Sequence, residues 1–168
     1  MSSASPENSS FTHRHVAREI LADLDTPLSA YLKLCHAHGE QALADGTFLL
    51  ESVQGGERWG RYSIIGLPAS EEVRVRAGLF SHVKDGKTLD QRQVDDPLAA
   101  IREFASRYRV RPDARLPRFA GGLVGYFGAE TIRYTEARLA ANPRPTEEQD
   151  DIRLLVACDL VIFDNLRG

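Results

Sequence analysis

Two helix starts of the same kind frame a stretch whose hydrophobic period is two, and that arrangement limits the chain to mixed α and β structure. Asp25-Thr26-Pro27 offers a capping hydroxyl and a proline suited to a first helical turn. Leu28, Tyr31, Leu32 and Cys35 then follow at the i, i+3, i+4, i+7 spacing of one buried stripe, and Gly39 supplies a stop, which predicts a helix over 26–38. Asp96-Pro97 repeats the start. There Leu98, Ile101, Ala105 and Tyr108 predict a second amphipathic helix over 97–109 with a polar, basic outer face.

Between them, Thr47 to Val53 and Arg61 to Leu67 are short, β-rich and bounded by Gly or Pro, as expected of paired strands around a glycine loop. Val73, Val75 and Ala77 alternate with Arg74 and Arg76; Gly78 turns the chain into Leu79 to Lys84, and Asp85-Gly86 makes another turn. This reads as a meander with one wet face. Phe119 to Phe127 is apolar but broken by Gly121, Gly122 and Gly125, the mark of a strand that another backbone approaches closely. A short helical segment is expected over 129–140, then a loop at Asn142-Pro143-Arg144-Pro145 and a solvated acidic cluster from Glu147 to Asp151. Ile152 to Asn165 reads as one last strand, covered on both sides toward its end by Val161 and Phe163. The fold class is α+β, a mixed or antiparallel sheet domain with flanking helices.

At 168 residues the chain is long enough for one core without disulfide or metal staples. Lys and Arg number 21 against 24 Asp and Glu, a net charge of −3, so no overall positive field recruits nucleic acid or an anionic membrane. The longest purely apolar run, Leu154 to Cys158, is far short of the roughly 20 residues that span a bilayer. Met1 to Ser10 is rich in Ser and has no apolar core of a signal peptide, so residues 1–19 are expected to be a flexible tail and 20–168 the folded domain. Cys35 and Cys158 lack C-x-x-C spacing, which fits a reducing, cytoplasmic setting.

Several side chains invite chemistry. His13-x-His15 and His36-x-His38 could ligate a metal, but neither pair has the context that makes a zinc site specific. Six arginines from Arg102 to Arg118 surround Phe104 and Tyr108, yet helical spacing puts Tyr108 on the apolar face, so a core aromatic beneath a solvated basic face is the plainer reading. The glycine-rich block from Gly121 to Gly128 matches neither phosphate-binding pattern. Glu51 is an acid inside an apolar run and calls for a cation, either Arg58 or Arg61 in a structural pair or the ammonium of a small ligand. No Mg²⁺-ligating carboxylate cluster or paired acid/base motif is identifiable, so the chain by itself is expected to be catalytically inactive.

Taken in order, Leu24-Asp25-Thr26-Pro27-Leu28, Phe48 to Val53, Gly60 to Gly66, Gly121 to Gly128 and Asp159 to Asn165 resemble the N-terminal region of anthranilate synthase component I from about residue 20 onward. The resemblance implies an incomplete part of a larger chorismate-enzyme β-sandwich fold, with the catalytic C-terminal domain absent from this chain. It further implies that the complete enzyme, a carbon-oxygen lyase of tryptophan biosynthesis, turns chorismate into anthranilate. Mg²⁺ would bind beside chorismate, and a glutamine amidotransferase component II would deliver ammonia; no cofactor is assigned to this chain. By position, Glu51 and Ser52 would meet the head group of the feedback inhibitor L-tryptophan, Leu50 would contribute backbone, and Arg61 and Ser63 on the facing strand are further candidates. The family usually has Gly-Tyr-Asp where this chain has Gly128-Ala129-Glu130. Aminodeoxychorismate synthase component I has a similar architecture, and a standalone ligand-binding module is the reading from a different class.

Overall fold

A computed structural model describes residues 11–39, 46–51, 60–140 and 149–166. Its first helix, α1 (Pro27–Ala37), begins as expected: Thr26 Oγ1 accepts from the Ser29 N–H at 3.1 Å, and Ser29 Oγ accepts from the Thr26 N–H at 2.9 Å. Its stripe is a correction. Leu28 and Leu32 are 52% and 58% exposed, and it is Tyr31 and Cys35 that meet the rest of the fold, both at Thr47.

The strands form two antiparallel sheets. One has the order β1 (Phe48–Leu50), β2 (Tyr62–Gly66), β8 (Leu160–Asp164). The other runs β5 (Lys87–Gln93), β4 (Leu79–Lys84), β3 (Glu71–Arg76), β7 (Ile152–Ala157), β6 (Gly122–Phe127). The meander is as read from the sequence. Ala77-Gly78 and Asp85-Gly86 both have positive φ at each residue, the mirror-type two-residue turns that match strand twist. Helix α2 (Pro97–Ala105) closes one face of the larger sheet, and Val73, Val75, Phe80, Ile101, Phe104, Ile152, Leu154 and Val156 form the core between them.

Three other expectations change. The second helix ends at Ala105 rather than 109, since the N–H groups of Arg107 and Tyr108 turn back to the carbonyls three residues earlier, Phe104 and Ala105. That tight turn swings Tyr108 toward β3. The acidic cluster is not all solvated: Asp151 is 4% exposed and its Oδ2 accepts from the Ala77 N–H at 2.8 Å, with the Tyr134 hydroxyl as a second donor. The loop 142–145 and Glu147 lie outside the described residues. A 3₁₀ turn (Ala129–Tyr134) and α3 (Ala137–Ala140) supply the expected helical segment.

The run from Ile152 to Asn165 is two strands serving two sheets, not one strand. β2 continues into β3 as β7 continues into β8, so a single antiparallel ribbon bends from one sheet into the other. The bend contains one more residue on the β2–β3 side than on the β7–β8 side, and the Leu67 N–H donates across it to the Asp159 carbonyl at 3.0 Å. Nor is β8 covered on both sides; all five of its residues are only half-buried. Within the segment expected as a tail, the Thr12 and His13 N–H groups both donate to the Arg109 carbonyl, at 2.8 and 3.1 Å.

Candidate functional site

Four of the five tryptophan candidates, Leu50, Glu51, Arg61 and Ser63, lie at one end of the three-stranded sheet. The β1–β2 register pairs Phe48 with Gly66, Leu49 with Ile65 and Leu50 with Ile64. Glu51 is the next residue, and continuing that register brings it level with Ser63. Leu50 is 47% exposed. Glu51 is exposed and lies just past the strand rather than within it, so the cost of an unpaired buried carboxylate does not arise. Ser52 and Arg58 lie outside the described residues.

Arg61 takes a different partner from the one considered. Its Nε donates to Asp164 Oδ1 at 2.9 Å and its Nη2 to Asp164 Oδ2 at 2.6 Å, a bidentate pair between the ends of β2 and β8. The guanidinium also lies 4.9 Å from the Tyr62 ring centre. Those bonds to Asp164 raise the Arg61 pKa above its ordinary value. Ser63 is 3% exposed, and its Oγ accepts from Asn165 Nδ2 at 3.1 Å. The same amide reaches the Gly60 carbonyl at 3.3 Å, and the Asn165 N–H donates to the Arg61 carbonyl at 2.7 Å. Asp164 and Asn165 are thus the positioning residues that sequence reasoning missed. Their one signal was two polar residues closing an apolar run.

Elsewhere two acids, Glu71 and Glu72, are bound up in structure. Glu72 accepts from Arg74 Nε and from Arg153 Nε, each at 2.7 Å, which places one carboxylate between two arginines that face one another across β3 and β7. Glu71 Oε1 accepts from the Tyr108 hydroxyl at 2.6 Å and meets His82 Nε2 at 2.7 Å, while Oε2 accepts from Lys84 at 3.0 Å. Burial pushes the carboxyls of Glu71 and Glu72 up, but these donors outweigh it and both pKa values are lowered. Burial and Glu71 together raise that of Tyr108. Tyr108 is indeed a packed aromatic, set against Phe104 and stacked on His13 at 5.1 Å. His38 Nδ1 sits 2.9 Å from the Leu34 carbonyl at the end of α1. Among the described residues no group of three or more His, Cys, Asp or Glu is placed to hold a metal ion. No helix among them is long and apolar enough to cross a membrane.

The glycine-rich block behaves as its spacing suggested. A β-carbon on Gly125 would lie 1.9 Å from the Arg153 carbonyl oxygen, so β6 pairs with β7 closely only because that position has no side chain.

No family model matches the chain. It is 49% identical over 154 residues to anthranilate synthase component 1 of Pseudomonas putida, covering 91% of this chain and 30% of that protein. The corresponding values for the protein of the same name from Pseudomonas aeruginosa are 51% over 151 residues, with 89% and 29% covered. For that of Neisseria meningitidis serogroup B they are 42% over 158 residues, with 91% and 30% covered. A crystal structure of anthranilate synthase component I from Streptococcus pneumoniae TIGR4 matches at 24% identity with a TM-score of 0.49, over 91% of this chain and 30% of that one. The chain therefore spans about 30% of the length of the curated relatives it matches. Over some nine-tenths of its length, the chain is related to the N-terminal region of anthranilate synthase component I.

Proposed function

We propose that this chain is the regulatory and scaffolding part of an anthranilate synthase component I, the lyase that forms anthranilate from chorismate, and that it carries one wall of an L-tryptophan feedback site. Identity of 49% and 51% to proteins of that name across about nine-tenths of the chain carries the reading. In this reading the chemistry belongs to the roughly 70% of the relatives' length that the chain does not span. The Mg²⁺ of the complete enzyme would bind beside chorismate in that same portion. Ammonia would come from a glutamine amidotransferase component II, and the setting would be cytoplasmic.

For tryptophan, the exposure of Glu51 beside the partly exposed Leu50 supports a role in meeting the ammonium from solution. Ser52 would hydrogen-bond beside it. Arg61 and Ser63 would shape the wall from behind, since each is already held by the Asp164-Asn165 pair. The test is a tryptophan titration of ammonia-dependent activity in the full-length enzyme, wild type against Ser52→Phe and Glu51→Gln. Relief of inhibition with activity retained is expected in both variants. Unchanged inhibition would remove these residues from the site, and activity lost without tryptophan would make their role structural.

A further inference from the structure

Thr12 to His15 and Arg109 to Ala114 run side by side in a short parallel pairing: the His13 N–H donates to the Arg109 carbonyl at 3.1 Å and the Arg111 N–H to the His13 carbonyl at 2.9 Å, bridging His13 with Val110. The next residues on the two segments are Arg14 and Arg111, which the pairing brings level. Like charges held opposite one another on paired strands are unfavourable by themselves. Elsewhere in the chain this problem is solved by an acid, as Glu72 does for Arg74 and Arg153.

Here it is not. Among the described residues neither Arg14 nor Arg111 has an ion-pair partner, and both line a groove of about 360 Å³ together with His15, Pro112, Asp113 and Ala114. Asp113, the one acid in that lining, is taken by Arg115, whose Nε donates to Oδ1 at 2.9 Å and whose backbone N–H donates to Oδ1 at 3.0 Å. The same hydrogen bonds hold the Asp113 carboxyl well below the usual carboxylate range, so it stays ionised and paired. Among the described residues the groove keeps two positive charges that no acid pairs with. His15 adds a buried Nδ1 with no hydrogen-bond partner, a polar atom of the kind that native proteins satisfy with bound solvent or ligand.

We propose that this groove binds a phosphate group, free or on a small molecule, between the guanidiniums of Arg14 and Arg111. Paired guanidinium donors match the charge and geometry of phosphate oxygens better than any neutral ligand. None of the lining residues is among the tryptophan candidates, so the proposal stands apart from that reading. Amide chemical shifts of the isotope-labelled chain test it, titrated with inorganic phosphate and, at matched ionic strength, with sodium chloride. Saturable shifts confined to residues 13–15 and 111–115 are expected with phosphate only. Arg14→Gln with Arg111→Gln should weaken them about tenfold or more, the loss of two charge-assisted hydrogen bonds, and Arg118→Gln should leave them unchanged. Each single variant should weaken binding less, and circular dichroism would verify the fold. Equal shifts with chloride, or undiminished phosphate binding in the folded double variant, would overturn the proposal.

Discussion

Gly125 lies so close to Arg153 that a β-carbon would come within 1.9 Å of its carbonyl oxygen and 2.9 Å of the carbonyl carbon. The obstacle is backbone in a paired strand, which cannot rotate aside. Gly125→Ala must therefore part β6 from β7, and a loss of about 3 kcal/mol is expected, the upper end of overpacking costs. Gly39 gives the contrast: nothing lies within 4 Å of its missing β-carbon, and only its φ of +85° resists a side chain. Gly39→Ala should cost about 1 kcal/mol from left-handed strain alone. Urea unfolding midpoints of the two variants would separate the two causes, and similar midpoints would refute the packing argument.

Acid sensitivity follows from Glu71 and Glu72. Both have folded-state pKa values below the ordinary glutamate value of 4.5. A carboxyl with a depressed folded value contributes stability that is complete above the unfolded pKa and is lost as the pH falls through the folded one. The chain should thus hold its stability from neutral pH down to about pH 5 and then lose it progressively. Glu71→Gln and Glu72→Gln should lower stability at pH 7 and flatten the acid limb, read from urea midpoints between pH 7 and pH 3. An acid limb of unchanged slope in both variants would show that other carboxyls set it.

Asp151 ties the β3–β4 turn to the segment before β7. Its carboxylate accepts from the Ala77 N–H and from Tyr134, whose hydroxyl in turn accepts from the Gly78 N–H at 3.1 Å. Asp151→Ala strands these donors at a buried site, for an expected loss of about 2–3 kcal/mol. Tyr134→Phe removes one link of the same chain and should cost less. Equal losses, or no loss from Asp151→Ala, would count against the network.

Local chemistry was legible, and long-range partnership was not. Thr26, Pro27, Asp85-Gly86 and the Val73–Val75 alternation announced their elements because caps, turns and strand faces are decided within a few residues. The bend at Cys158-Asp159 was invisible because the apolar period runs straight through it, and only pairing with β2 and β3 reveals that β7 and β8 belong to different sheets. Glu51 was read as an acid in need of a cation, with Arg61 one of the candidates, but Arg61 is held by a different acid. That acid is Asp164, 103 residues away, rather than Glu51 just past the neighbouring strand. Asp151 was misread for the same reason, since its donors come from Ala77 and Tyr134.

The two edges of the five-stranded sheet differ in a way that bears on association. β5, at one edge, reads Lys-Thr-Leu-Asp-Gln-Arg-Gln, and such charge on an edge discourages pairing with another chain. β6, at the other, reads Gly-Leu-Val-Gly-Tyr-Phe and carries no charge, with Tyr126 42% and Phe127 55% exposed. An unprotected apolar edge of this kind is suited to being covered, and it is free to pair with a second copy when nothing covers it. The purified chain is therefore expected to bind a hydrophobic dye such as anilinonaphthalene sulfonate while still cooperatively folded, and to self-associate as its concentration rises in sedimentation velocity. Tyr126→Lys with Phe127→Lys should reduce both effects without lowering the unfolding midpoint greatly, since both side chains are already half in water. A wild-type chain that stays monomeric at high concentration and binds no dye would show that the β6 edge is protected by some other means.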